Sequence, residues 1–133
     1  KHVEEGKEFL PRFNSDGLIT AISQDAGTGE VLMVAYMNEA ALRETISTGR
    51  AVFYSRSRGS LWRKGEQSGH FQRVEQILTD CDQDCILLKV TVDQGQCHVG
   101  YNSCFYRRLK PDGNLETIAK KSYDPEKTYS QQQ

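Results

Sequence analysis

Three carboxylates and two thiols stand within the six residues from Asp80 to Cys85, a composition that does not suit a hydrophobic core. If this stretch is extended, Asp80, Asp82 and Asp84 lie on one side and the thiols of Cys81 and Cys85 on the other. Neighbouring carboxylates repel one another, and a hard cation such as Mg²⁺ or Ca²⁺ relieves the repulsion because it takes oxygen ligands. The alternative is a solvated acidic turn beside two buried cysteines. We interpret the motif as a candidate cation site.

The other two cysteines, Cys97 and Cys104, do not have the C-x-x-C spacing of a zinc knuckle. Together with Cys81 they could supply three thiolates from separate elements to an open zinc site, which keeps one position for water. Zinc lowers the pKa of that water toward about 7 and so provides hydroxide, which predicts a hydrolase. Cys85 could complete a closed structural site, but we favour a small buried residue. His98 could relay a proton, although a lone histidine is more often a surface or structural residue.

A long basic loop is predicted from residue 55 to residue 70, where glycines and serines interrupt any regular period. Arginines bind phosphate oxygens in a bidentate manner, serine hydroxyls add donors, and an indole can stack on a base. The alternative is a flexible basic surface loop, to which a tryptophan would add nothing. We therefore predict a nucleotide-binding loop, in which the candidate contacts are Arg56, Ser57, Arg58, Trp62, Lys64 and Ser68.

The elements that would position these residues are mainly strands. Two β-favouring runs, 18–23 and 30–36, flank a glycine-containing hairpin loop. Asn38 is a predicted N-cap for a short helix over residues 39–48, which Gly49 would end. Further strands are predicted at 51–54, 71–79, 86–92 and 105–109. The pattern indicates an α+β fold that is mainly β.

Chain length, net charge and cysteine count further limit the possible fold, partners and location. A chain of 133 residues is expected to form a single domain, here 1–133, with a lead-in at 1–13 and a loosely held polar tail at 120–133. A net charge of −1 gives no global attraction for nucleic acid or membrane. No membrane span or secretory signal is visible, so we expect a cytoplasmic protein. Four cysteines then suggest metal binding or catalysis, although two disulfides in a secreted protein would fit the count.

Four blocks between residues 14 and 110 resemble the phosphoribosyl-AMP cyclohydrolase family of histidine biosynthesis. Their order along the chain also agrees, which makes chance agreement implausible. The blocks are Gly29–Asn38, then Tyr54–Arg58 with Leu61–Glu66 and Ser68–Gly69, then Asp80–Asp84, then Cys97–Gly100 with Ser103–Phe105. Glu66 joins the candidate substrate-binding residues through this resemblance.

The resemblance also implies an assembly, a set of metal ligands and a reaction, none of which follows from residue spacing. It implies a homodimer with a compact pseudobarrel of mixed strands and active sites between subunits. Zinc would be held by Cys81 of one chain and by Cys97 and Cys104 of the other, and the three aspartates, Asp80, Asp82 and Asp84, match magnesium ligands. The implied reaction is hydrolysis of the N1–C6 bond of the adenine ring of phosphoribosyl-AMP. In our hypothesis zinc-bound hydroxide adds to C6 and His98 relays protons.

Two rival functions use some of the same residues. A nucleotide deaminase also attacks purine C6 with zinc hydroxide, but its H-x-E and P-C-x-x-C signature is absent from this sequence. A zinc-stabilised nucleic-acid-binding module could use the arginine and tryptophan of the basic loop. It would predict steeply salt-dependent binding and a closed four-ligand zinc, and the net charge argues against it.

Overall fold

A computed structural model describes residues 2–66, 69–92 and 100–120. The described chain is mainly β, as predicted, with one helix of useful length. The elements in order are α1 His2–Glu5, β1 Ile19–Asp25, β2 Val31–Met37, α2 Glu39–Thr48, β3 Val52–Ser55, β4 Ser60–Arg63, β5 Gln72–Thr79, β6 Cys85–Val92, β7 Arg107–Leu109 and β8 Leu115–Thr117.

A four-stranded sheet with the order β2-β1-β6-β5 forms the framework. β1 is antiparallel to β2 and parallel to β6, while β5 and β6 form an antiparallel hairpin. The sheet therefore mixes strand directions, as the family resemblance implies. The parallel pairing becomes possible because α2 and the β3–β4 hairpin fill the long connection between β1 and β6 in the chain.

The helix confirms its predicted bounds and caps. Asn38 Oδ1 accepts a hydrogen bond of 2.8 Å from the backbone N–H of Ala41, and Gly49 ends the helix in the left-handed region at φ 72°. Leu42 is buried, but the side chain of Ile46 is 54% exposed, so the apolar face of the helix is narrow.

The core lies between the sheet, the helix and the β3–β4 hairpin. Its largest fully buried apolar side chains are Phe53, Ile19, Leu32, Met37, Ile86, Leu88, Val52 and Val90. One polar pair is enclosed with them, where Ser23 Oγ donates to Gln72 Oε1 over 2.6 Å. Because each atom of this pair has a partner, its burial does not leave a polar group unsatisfied.

The prediction of an irregular loop from 55 to 70 is wrong in its middle. β4 pairs with β3 in antiparallel register, so Phe53 lies opposite Trp62, and their ring centroids are 5.5 Å apart. A four-residue strand is too short to show a period among glycines and serines. Its pairing depends on a partner strand that the local sequence does not reveal.

The described residues form no closed barrel, so the predicted pseudobarrel is not confirmed. The chain does curl at the β5 edge, where Ala51 N donates to Gln72 O over 3.0 Å and Val74 N donates to Gly49 O over 2.8 Å. Residues 121–133, most of the predicted tail, lie outside the described chain. In the described part, no helix has the length and apolar character needed to span a membrane.

A substitution at Gly65 tests how closely the β3–β4 hairpin packs against the start of β5. It has φ +91°, and an added Cβ would lie 2.5 Å from Phe71 N. Gly65→Ala should lower the free energy of unfolding by about 3 kcal/mol or more, because the clash with backbone adds to left-handed strain. Gly29→Ala is the matched control, since Gly29 has φ +81° with open space around it and should cost about 1 kcal/mol. Equal losses of unfolding free energy for the two variants, measured in urea, would contradict the packing described.

Candidate active site

The acidic motif forms the turn of the β5–β6 hairpin, so it does not have the extended conformation that the sequence argument considered. Asp80 Oδ1 accepts backbone hydrogen bonds from Asp84 N at 3.0 Å and from Cys85 N at 3.1 Å. These bonds favour a chain reversal because an aspartate side chain satisfies backbone donors a few residues ahead. The aspartates nevertheless converge, and one carboxylate oxygen from each of Asp80, Asp82 and Asp84 lies within 4.8 Å of the others.

The electrostatics of this acidic turn show that its charges are not fully relieved. Hydrogen bonds with the carboxyl groups of Asp82 and then Asp80, with a contribution from burial, raise the pKa of Asp84 to about 6. The hydrogen bond with Asp84 lowers the pKa of Asp82. The carboxyl groups therefore hold a shared proton more tightly than an isolated aspartate would. A bound cation could replace that proton.

The donor set of the acidic turn fits a hard divalent cation. Among the described residues, this is the one group of three or more potential ligands that lie close enough to hold a metal ion. All three ligands are carboxylates, which suit Mg²⁺ or Ca²⁺ better than zinc. Asp80 and Asp84 are exposed, so a cation held there would keep coordination positions open to solvent.

The described thiols do not join this group. Cys81 is exposed in the acidic turn, whereas Cys104 is exposed beside β2, where its backbone N–H donates to Leu32 O over 2.6 Å. The registers put Leu32 near the level of Ser23 and Leu88, and Cys81 lies beyond Cys85 at the other end of β6.

About three residues of strand and two strand spacings separate Leu32 from Cys85, which is roughly 14 Å. Cys104, bonded to Leu32, and Cys81, in the turn before Cys85, belong to opposite ends of this span. One chain therefore does not bring Cys81 and Cys104 to a common metal ion.

Three other predicted site residues, Ser68, Cys97 and His98, lie outside the described residues, and their roles stay predictions. Cys85 is half-buried, and burial, followed by the charges of the neighbouring aspartates, raises the pKa of its thiol. A thiol held in its protonated form is a poor metal ligand. This favours the structural interpretation of Cys85.

The predicted nucleotide contacts divide into two places. Arg56, Ser57 and Arg58 lie exposed in the turn between β3 and β4, where Arg56 stacks over the ring of Tyr36 at 4.2 Å. The side chain of Ser57 is 3.3 Å from the hydroxyl of Ser55. This turn presents two guanidinium groups to solvent.

The second place is a cavity of about 350 Å³ between α2 and the β3–β4 hairpin, which Lys64 and Glu66 line. Trp62 packs inward instead of offering a free stacking face, and Lys64 Nζ lies 5.7 Å from the centroid of its ring. A cavity of this size can hold a phosphorylated sugar.

Sequence reasoning did not bring together the residues that complete this cavity, and it missed Arg50. Arg50 lies over the Phe71 ring at 4.5 Å, and Arg63 donates two hydrogen bonds, of 2.5 and 2.8 Å, to Glu44. The bonds from Arg63 lower the pKa of Glu44 below its usual value. Recognition of β4 as a strand would have placed Arg63 opposite Val52 and so close to the helix.

Fold and site together define a small, mainly β protein with an acidic hairpin turn suited to a divalent cation and with a separate basic cavity. The family model for phosphoribosyl-AMP cyclohydrolase matches residues 33–106.

Among curated relatives of that name, the one from Hyphomonas neptunium is 60% identical, with 80% of this chain and 82% of the relative covered. The relative from Methanothermobacter thermautotrophicus is 53% identical over 91% of this chain and 88% of its own, and that from Rhodopseudomonas palustris strain TIE-1 is 50% identical over 96% and 88%. The chain belongs to the phosphoribosyl-AMP cyclohydrolase family, as the sequence blocks predicted.

The shared proton of the acidic turn predicts a pH-dependent effect of Asp84→Asn. The pKa of Asp84 is raised to about 6, above the ~3.9 of an unfolded chain, so the folded state gains stability from proton binding that is lost as pH rises through about 6. In buffer without divalent cations, the melting temperature of the variant relative to the unchanged protein should therefore be higher at pH 7.5 than at pH 4.5. An equal difference at both pH values in thermal unfolding would contradict this.

Proposed function

We propose that this protein hydrolyses the N1–C6 bond of the adenine ring of 1-(5-phosphoribosyl)-AMP, a step of histidine biosynthesis. Membership of the phosphoribosyl-AMP cyclohydrolase family carries the proposal. The three converging carboxylates of the acidic turn support it independently, because a phosphorylated substrate and a divalent cation are suited to one another. The cytoplasmic location expected from the sequence stays a prediction.

The chemistry of the substrate explains the reaction. The second phosphoribosyl group on N1 makes C6 more electrophilic than it is in AMP. Water adds to C6, one of its protons passes to the exocyclic nitrogen, which is an imine in the neutral substrate, and the other passes to N1. The C6–N1 bond then breaks, and the exocyclic nitrogen stays as the NH₂ of a carboxamide. The ring opens without loss of ammonia. His98, the proposed proton relay, would serve the transfer to N1.

Two metal ions would assist in this proposal. Asp80, Asp82 and Asp84 would hold Mg²⁺, which would orient a substrate phosphate. Zinc, when bound, lowers the pKa of a water molecule toward about 7 and so supplies the nucleophile at neutral pH. Its ligands would be Cys81 and, from a second copy of the chain, Cys97 and Cys104 of the partner subunit. The separation of roughly 14 Å within one chain supports this shared site and hence a homodimer.

A pseudobarrel completed in a homodimer would also suit the chain path. The segment at 49–51 already extends the sheet beyond β5. We propose that the two places identified for nucleotide binding serve the two phosphates of the substrate. One is the exposed turn with Arg56, Ser57 and Arg58; the other is the cavity lined by Lys64 and Glu66, with Trp62 as support for Lys64 and Ser68 as a further donor.

The decisive experiment is turnover of phosphoribosyl-AMP by purified protein supplied with zinc and magnesium. We expect the purine absorbance to be replaced by that of a ring-opened carboxamide, with no ammonia released. Ammonia in the products would instead support a nucleotide deaminase. An unchanged spectrum at several protein concentrations would reject the proposed activity.

A mixing experiment tests the shared zinc site. Cys81→Ala and Cys104→Ala should each lose zinc and more than about 100-fold in activity, because each removes a ligand from every site. Coexpression of both variants should restore about a quarter of the activity, because half of the dimers are mixed and each mixed dimer has one intact site. Cys85→Ala is the matched thiol control and should retain zinc. Failure of the mixture to regain activity would place all ligands in one chain.

A further inference from the structure

Gln83 has an unusual place in the acidic turn. Its side chain is 4% exposed although its neighbours Asp82 and Asp84 reach solvent, and its φ is 59°. Within the described residues, every other residue with positive φ is a glycine. A left-handed conformation is unfavourable for a residue with a side chain and persists where surrounding contacts enforce it. The contacts of Gln83 therefore hold its backbone in this conformation.

Three hydrogen bonds connect Gln83 to the segment 8–12, which we call the N-terminal strap. Gln83 Oε1 accepts from Leu10 N at 2.6 Å, and Gln83 Nε2 donates to Glu8 O at 3.2 Å. The backbone carbonyl of Gln83 accepts from Arg12 N at 2.7 Å. Both functional atoms of the amide side chain thus bind backbone atoms more than 70 positions away in the chain.

The position of Gln83 couples these bonds to the cation ligands. It stands between Asp82 and Asp84, and its own N–H donates to Asp80 O over 3.1 Å. The conformation at this residue therefore sets the relative directions of the two neighbouring carboxylates. Repulsion among the carboxylates would favour a wider turn if the backbone were free to move. The bonds to the N-terminal strap oppose that widening.

We propose that Gln83 is a positioning residue that, through the N-terminal strap, holds the acidic turn in the geometry that binds a divalent cation. The inference rests on the proposed cation site and adds a role for a side chain that is not itself a ligand. Its physical basis is preorganisation: ligands that already converge lose less freedom when the cation binds. A purely structural role for Gln83 would anchor the strap and leave cation affinity unchanged.

Two substitutions separate the side chain from the backbone conformation. Gln83→Gly accepts φ 59° without strain and removes the amide, while Gln83→Asn tolerates the same φ and keeps an amide that is one methylene too short to reach the strap. Both should weaken Mn²⁺ binding to the zinc-loaded protein about tenfold, measured by calorimetry and by electron paramagnetic resonance. The magnesium concentration for half-maximal activity should rise by the same factor, with activity restored at saturating magnesium.

A double-substitution cycle tests whether Gln83 acts through its bond to the N-terminal strap. Leu10→Pro removes the N–H that Gln83 Oε1 accepts and should also weaken Mn²⁺ binding, and Gln83→Gly with Leu10→Pro should be little worse than either alone. Gly113→Ala is the destabilised control, since Gly113 has φ +89° in the distant β7–β8 turn and its loss of stability should leave Mn²⁺ affinity unchanged.

The outcomes distinguish this inference from the proposed function. Unchanged Mn²⁺ affinity in both Gln83 variants would overturn the positioning role, as would additive effects in the cycle. Absence of Mn²⁺ binding by the unchanged protein would overturn the cation site together with the inference. Failure to turn over phosphoribosyl-AMP, with the Mn²⁺ results as expected, would reject the proposed activity and leave the positioning role supported.

Discussion

Mutual repulsion among three carboxylates is the constraint on which the candidate site depends. The β5–β6 hairpin forces them together because Asp80 accepts two backbone N–H groups of the returning chain, which fixes the tightness of the turn. The raised pKa of Asp84 follows from this crowding, since hydrogen bonds with the carboxyl groups of Asp82 and Asp80 hold its proton. A divalent ion would relieve it more completely.

Strand pairing and burial in the four-stranded sheet stabilise this unfavourable turn. β6 is paired on both sides, with β1 and β5, and its alternate residues Ile86, Leu88 and Val90 are fully buried. Displacement of the turn would disturb this register and with it the core. Gln83 adds a second anchor from the inner side of the turn, through a segment that the sequence identified only as a lead-in.

Strand order also explains why a single copy of the chain keeps Cys81 and Cys104 apart. Cys104 is fixed beside β2, while Cys81 follows β5 at the opposite edge of the sheet. The zinc site that we propose would therefore need contacts between copies of the chain. The basic cavity is different, because α2 and the β3–β4 hairpin form its described walls within one chain.

Local signals in the sequence determined the parts whose physics is local. The cap residues Asn38 and Gly49 bounded the helix, and β-favouring runs located β1, β2, β5 and β6, because each follows from a few neighbouring residues. The sequence also identified the family and the convergence of the aspartates.

Tertiary structure alone decided the conformation of the acidic turn, the pairing of β4, the cavity beside Arg50 and the anchoring of Gln83. Each of these depends on a partner far away in the chain: β4 becomes a strand because β3 receives it, and Gln83 is buried because residues 8–12 cover it. Hydrophobic periodicity reports which face of an element is buried, but it does not report what buries it.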